Sequence, residues 1–215
     1  MSNYNIGQIR YSKGVEYLLN KINKKYSSEE CEYEVDTYDL KLVFPFQGLQ
    51  TYYLKCSLNY ENIDTSKDTE LVIKLKTESE DKTKIREQII TTYTVKNTKT
   101  QNIEFAFTPR TDFVKIVFEL RRTRENLEKE ILFSETQAVE LFLVNNILQQ
   151  ELGLDSIMKL GIQGPSDLIV CINGEPIRLG ASGMFELYYD DFNIFSVGFI
   201  INTNKSKNFI MDYCY

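Results

Sequence analysis

The chain of 215 residues contains no histidine and no tryptophan. Without histidine, Ser-His-Asp, Cys-His and His-Glu-x-x-His chemistry are excluded, and with them the commonest general base. Without tryptophan, the strongest residue for stacking on a sugar ring is missing. The four cysteines, Cys31, Cys56, Cys171 and Cys214, include no Cys-x-x-Cys clip, so their spacing suits no thiolate metal site. Cys56 and Cys171 sit in apolar strand patterns and are expected to be buried free thiols. No apolar run approaches the roughly 20 residues of a membrane span. The opening Met1-Ser2-Asn3-Tyr4-Asn5 lacks a basic n-region and an apolar h-region. Synthesis in the cytoplasm and no membrane partner are therefore expected. A diffuse net charge of -6, without a clustered basic face, argues against a nucleic-acid partner.

What is present is a globular composition, 42% hydrophobic and 26% charged, in a length that suits one or two domains. Residues 1 to 11 look irregular. Val15, Leu18, Leu19, Ile22 and Tyr26 then recur at helical spacing behind Ser12, which predicts a short amphipathic helix over 13–26. Ser27 to Asp36 is acidic and reads as a solvated linker or edge. From Tyr38 the period becomes two. Leu40, Leu42 and Phe44 alternate with polar residues, as do Tyr52 to Tyr60, Leu71 to Leu75, Ile103 to Phe107 and Val114 to Leu120, and Ile89 to Val95 adds a sixth strand-like run with a Thr-Thr-Tyr-Thr centre. Strands with one face on a core and one in water give this alternation. Six or more of them with no long helix between predict a mainly β protein, an antiparallel β-sandwich of jelly-roll-like type. Ala138 to Val144 alternates as a further strand, with a helix over 135–150 as the competing reading. The expected organisation is an N-terminal arm over 1–36, a sandwich over 37–148 and a small Gly-rich all-β module over 149–215.

Seven of the ten glycines fall between Gly153 and Gly198. Short apolar runs between them predict short strands and tight turns, with Gly161, Gly164, Gly174, Gly180 and Gly183 as turn glycines. Asn173-Gly174 is the sharpest hairpin signal, because both residues tolerate positive φ. Phe209, Met211, Tyr213 and Tyr215 share one face of a terminal strand. That strand is either an inner strand of its own domain or an assembly contact that adds to a neighbouring subunit's sheet.

The strings Lys159-Leu160-Gly161-Ile162-Gln163-Gly164-Pro165, Cys171-Ile172-Asn173-Gly174-Glu175-Pro176-Ile177-Arg178-Leu179-Gly180, Ser182-Gly183-Met184-Phe185-Glu186-Leu187 and Phe209-Ile210-Met211-Asp212-Tyr213 occur in that order. Over residues 158–215 the chain resembles a C-terminal module of virion proteins from phages and prophages of Gram-positive gut bacteria. It departs from that pattern at Ser166-Asp167 and at Cys214. The resemblance implies a structural component of the particle, tail- or baseplate-associated, assembled in the bacterial host cytoplasm. It implies other phage structural proteins as partners and a homo-oligomer or ring. It brings no catalytic residue and no cofactor.

Other chemistry is weakly signalled. Asp64-x-Ser66-x-Asp68-x-Glu70 alternates oxygen ligands but lacks the glycine and downstream glutamate of a calcium loop. Gly161-x-x-Gly164 and Gly180-x-x-Gly183 do not sit between a strand and a long helix, so a phosphate cradle is not expected. Neither an enzyme nor a cofactor is expected. The alternative function is a carbohydrate-binding module contacting a host surface glycan, with Tyr53 and Tyr93 as outward aromatic contacts.

Overall fold

The computed structural model describes residues 5–11, 23–36, 38–61, 69–78, 84–95, 99–122, 131–135, 137–165, 168–179, 184–188, 193–201 and 209–215. It forms two compact units. One is Tyr26–Leu141. The other joins Met1–Lys25 to Phe142–Tyr215. The observed division therefore differs from the expected one: the arm is split, and its first part belongs with the C-terminal module.

In the Tyr26–Leu141 unit one sheet holds five strands: β3 (Glu32–Val35), β4 (Asp39–Phe46), β6 (Thr69–Glu78), β7 (Ile85–Thr94) and β9 (Phe113–Arg122), in the order β3-β4-β9-β6-β7. The acidic segment thus becomes an edge strand. The second sheet is built on β5 (Tyr52–Glu61), with β8 (Thr100–Phe107) paired to it. On its other side are β10 (Leu132–Phe133) and β11 (Ala138–Leu143). The pairs are nested. β4 pairs with β9, β5 with β8 and β6 with β7, all antiparallel, and β6 also pairs with β9. A long hairpin rolled up in this way is the jelly-roll arrangement. The sheets face one another: Phe46 of β4 stands 5.2 Å from Tyr52 of β5 and 5.7 Å from Phe107 of β8, ring centre to ring centre. Leu40, Leu42, Leu54, Leu58, Leu71, Ile73, Ile116 and Phe118 fill the space between, as their alternation predicts.

Val114 breaks the pattern. A register shift between Val43 and Phe46 sets Phe46 opposite Phe113, so Phe113 turns inward and Val114 is exposed. The segment after Phe133 is held by buried Gln137. Its amide donates to the carbonyls of Asn59 and Ser134, and its oxygen accepts from Asn59 N–H, so the side chain supplies ladder bonds where β10 and β11 part.

The other unit has a four-stranded sheet, β1 (Ile6–Tyr11), β12 (Lys159–Gln163), β15 (Met184–Tyr188) and β17 (Phe209–Cys214), in the order β1-β17-β12-β15. A second sheet has β13 (Leu168–Ile172), β14 (Glu175–Arg178) and β16 (Val197–Ile201), in the order β14-β13-β16. Leu160, Ile162 and Met211 from the first pack with Leu168, Val170, Ile172, Val197 and Phe199 from the second. In the same unit β2 (Lys24–Lys25) pairs with Phe142 and Leu143 of β11. Residues 6–11 are therefore a strand, not irregular chain. Most of the predicted 13–26 helix lies outside the described residues, but Lys24 and Lys25 are extended. After β11 the chain makes a π-helical turn, Leu148–Leu152, which Gly153 closes at φ 64°. The 135–150 segment is thus strand first and turn second, not one helix.

Candidate functional site

The outward face of β5 and β8 carries four cross-strand pairs: Tyr53 with Ala106, Lys55 with Glu104, Ser57 with Asn102, and Asn59 with Thr100. Alternation puts these residues opposite the core side chains Tyr52, Leu54, Cys56 and Leu58. Three hydrogen bonds tie the face together. Ser57 Oγ donates to Asn102 Oδ1 at 2.8 Å, Thr100 Oγ1 to Asn59 Oδ1 at 2.7 Å, and Tyr53 OH to Glu104 Oε2 at 2.9 Å. Lys55 Nζ lies 5.7 Å from the centre of the Tyr53 ring. Ala138 and Glu140 of β11 add a third strand. Together Lys55, Ser57, Asn102, Glu104, Ala138 and Glu140, with Cys56 and Ile103, line a cleft of about 500 Å³. Its size falls within the range of small-molecule sites, roughly 300–1,000 Å³. A second cleft, about 470 Å³, lies between β3 and β10 and is lined by Tyr33, Val35, Asp36, Leu132, Phe133 and Glu135.

The two tyrosines expected as glycan contacts are placed otherwise. Tyr53 has 0% exposure, so its ring offers no stacking platform. Tyr93 stands opposite Leu71, on the core side of β7, and is half-buried; that burial pushes its phenol above the ordinary value. The expected assembly residues are also corrected. β17 is hydrogen-bonded to β1 on one side and β12 on the other, so it presents no free edge. Met211 is wholly buried, Tyr213 is half-buried and Tyr215 stacks on Tyr213 at 6.0 Å. Phe209 pairs with Tyr11 at the far end of the strand. The inner-strand reading is the one the fold adopts.

Of the turn glycines, Gly174 turns as expected, at φ 89° beside Asn173 at φ 50°. Gly161 sits inside β12, between Asp212 and Glu186, and is no turn. Gly164 follows the end of β12. Gly180 and Gly183 lie outside the described residues, as do residues 62–68 of the calcium-like loop. Asn173 does more than turn: its Oδ1 accepts from the N–H groups of Phe195 and Ser196, which fixes the next loop onto the hairpin. Among the described residues no group of three Cys, Asp or Glu could hold a metal ion. Burial pushes the Cys171 thiol up to about 12 and raises that of Cys56 as well, so both act as small apolar side chains.

The outer face of the five-stranded sheet is charged rather than hollow. Lys74, 7% exposed, reaches Glu119 at 2.6 Å and Glu87 at 3.2 Å. Arg121 binds the same Glu119 at 2.7 Å. Arg121 and Lys74 hold the Glu119 carboxyl down to about 2, whereas burial and the facing Glu119 raise Asp39. These cations and carboxylates pair with one another across the face.

No protein-family model matches the chain, and no curated protein sequence matches it. Solved structures do match. One is the N-terminal CBM22-1-CBM22-2 tandem domain from Paenibacillus barcinonensis Xyn10C, at 8% identity and a TM-score of 0.33, covering 95% of this chain and 88% of that one. A likeness that distant carries no argument about what this chain does.

Proposed function

We propose that the chain is a non-enzymatic structural component of a bacteriophage or phage-tail-like particle, at the tail or baseplate, acting through subunit–subunit assembly. One observation carries the reading. The segment that resembles virion proteins folds as one compact module with β1. Among the described residues its four-stranded sheet ends in two edge strands, β1 and β15, each bearing an exposed apolar side chain, Ile6 at 84% and Met184 at 56%. Such edges are ready templates for pairing with another chain. The expected partners are further copies of this chain, as an oligomer or ring, and other particle proteins. Light scattering on the full-length protein is expected to give a multiple of the monomer mass. Ile6→Lys with Met184→Lys is expected to give a folded monomer. A monomer at every concentration, together with absence of the chain from purified particles by mass spectrometry, would sink the proposal.

A second reading, a module contacting host surface glycan, is favoured by the cleft on β5, β8 and β11. The cleft belongs to the sandwich and not to the segment that resembles virion proteins, so the two readings are compatible within one chain.

A further inference from the structure

We infer that the two edges of the four-stranded sheet are the halves of one contact: β1 of one copy pairs antiparallel with β15 of the next, head to tail. The inference rests on the assembly reading above and gives that assembly its partner and its register.

Strand direction allows the junction. Every pairing in the sheet is antiparallel, so in the order β1-β17-β12-β15 the two edge strands run in opposite directions. A second copy placed beside β15 in the same orientation presents its β1 antiparallel to that strand, and the sheet continues with neither copy turned over.

The hydrogen-bond phase agrees. Asn5 and Tyr215 exchange backbone N–H···O bonds, both at 3.0 Å. Such close pairs recur at every second residue, so Gly7, Ile9 and Tyr11 direct their backbone groups at β17 and those of Ile6, Gln8 and Arg10 point to the outer edge. On the other flank of β17 the Cys214 carbonyl accepts from Met158 N–H at 2.8 Å. The alternation then joins Leu160 to Leu187 and Ile162 to Phe185, which directs the backbone groups of Glu186 and Tyr188 to the outer edge of β15.

The side-chain faces match as well. Ile9 and Met211 pack on the core, whereas Ile6, Gln8 and Arg10 are exposed on the other face. Register rows carry that outer face across the sheet, from Ile6 through Cys214 and Lys159 to Tyr188, and from Gln8 through Asp212 and Gly161 to Glu186. Continued along the same rows, the junction sets Ile6 of one copy opposite Tyr188 of the next, a β-branched–aromatic pair, and Gln8 opposite Glu186. Arg10 falls diagonal to that glutamate.

Charge selects the partner edge. β1 contains Arg10 and no acidic residue; β15 contains Glu186 and no basic one. A two-fold contact of β1 with β1, or of β15 with β15, brings like charges to one seam. The head-to-tail contact brings opposite ones.

The test is sedimentation velocity on the full chain and two proline variants. Proline is tolerated on an edge strand where the N–H it removes faces outward, so Gln8→Pro blocks the β1 edge and Glu186→Pro the β15 edge with the fold kept. The unsubstituted chain is expected to form a species of more than two copies. Each variant alone is expected to be a monomer, and their equimolar mixture to reach twice the monomer mass and stop there, since one intact junction remains. Where circular dichroism shows that a proline variant has lost its cooperative melt, Ile6→Lys mixed with Met184→Lys takes its place. A dimer formed by either variant alone means a two-fold contact, and a mixture that stays monomeric means that the contact lies elsewhere. Both outcomes overturn the head-to-tail junction and leave the assembly reading standing. An unsubstituted chain that is a monomer at every concentration overturns the junction and self-assembly together.

Discussion

Lys74 shows how a side chain on an outward strand position becomes structural. It is nearly buried, and its ammonium serves Glu119 and Glu87 together. Glu119 is held down to about 2 by Arg121 first and Lys74 second, against an ordinary value of 4.5. A carboxyl lowered in the folded state stabilises the fold above its unfolded value and loses that contribution as pH falls through its folded one. The melting temperature is therefore expected to drop between pH 4.5 and 2, and Glu119→Gln to flatten that part of the profile; calorimetry across pH measures both. Gln137 is the second case. Gln137→Leu keeps the bulk but removes the acceptor of Asn59 N–H and one donor each from the carbonyls of Asn59 and Ser134, the former still accepting from Ser134 N–H. A loss of about 1–3 kcal/mol in chemical denaturation is expected. Neither role was legible in the sequence. A lysine on an alternating strand reads as solvated, and a glutamine before a strand reads as loop; only pairing across the sheet brings their partners close.

At the scale of elements, the inner faces of β4, β5, β6 and β9 were legible, because a period of two is a local property that the chain writes down residue by residue. The bulge that turns Val114 outward was not, since it depends on which residue of β4 meets Phe113. β1 was hidden for a similar reason. Ile-Gly-Gln-Ile-Arg-Tyr has no clean alternation, because the Tyr213 ring fills the space over Gly7 that a side chain would take. The cleft was hidden too. Its members come from three separate segments, each of which reads alone as an ordinary wet face, and Tyr53 reads as exposed although nothing of it is. β17 was legible as a tied-down strand but not in its neighbours. Its place between β1 and β12 gives a firm expectation: removing residues 209–215 unpairs both and empties the Met211 position, so the unit loses its cooperative melt. Met211→Ala alone is expected to cost about 2–5 kcal/mol, read by denaturant midpoint.

For the whole molecule, the division into units was only partly legible. The expected sandwich, 37–148, and the observed unit, Tyr26–Leu141, differ at both ends, and nothing local announces that the first strand pairs with the last described one. The sandwich is in effect an insertion: it leaves the other unit after Lys25 and returns at Phe142, two residues that face each other in the β2–β11 ladder. Joining them through a two-residue Asn-Gly turn is expected to leave a folded module, since that spacing matches a tight hairpin. Residues 26–141 alone are expected to fold and to keep the cleft. Circular dichroism melts of the two pieces decide it, and failure of either piece to melt cooperatively would show that the units depend on each other.

The same paired crossing has a mechanical consequence. Tyr26 and Leu141, where the sandwich begins and ends, are hydrogen-bonded neighbours, N to O at 3.0 Å. A pull on the sandwich enters and leaves at one point. Tension is shared by two adjacent strands and is never applied across the sandwich from end to end.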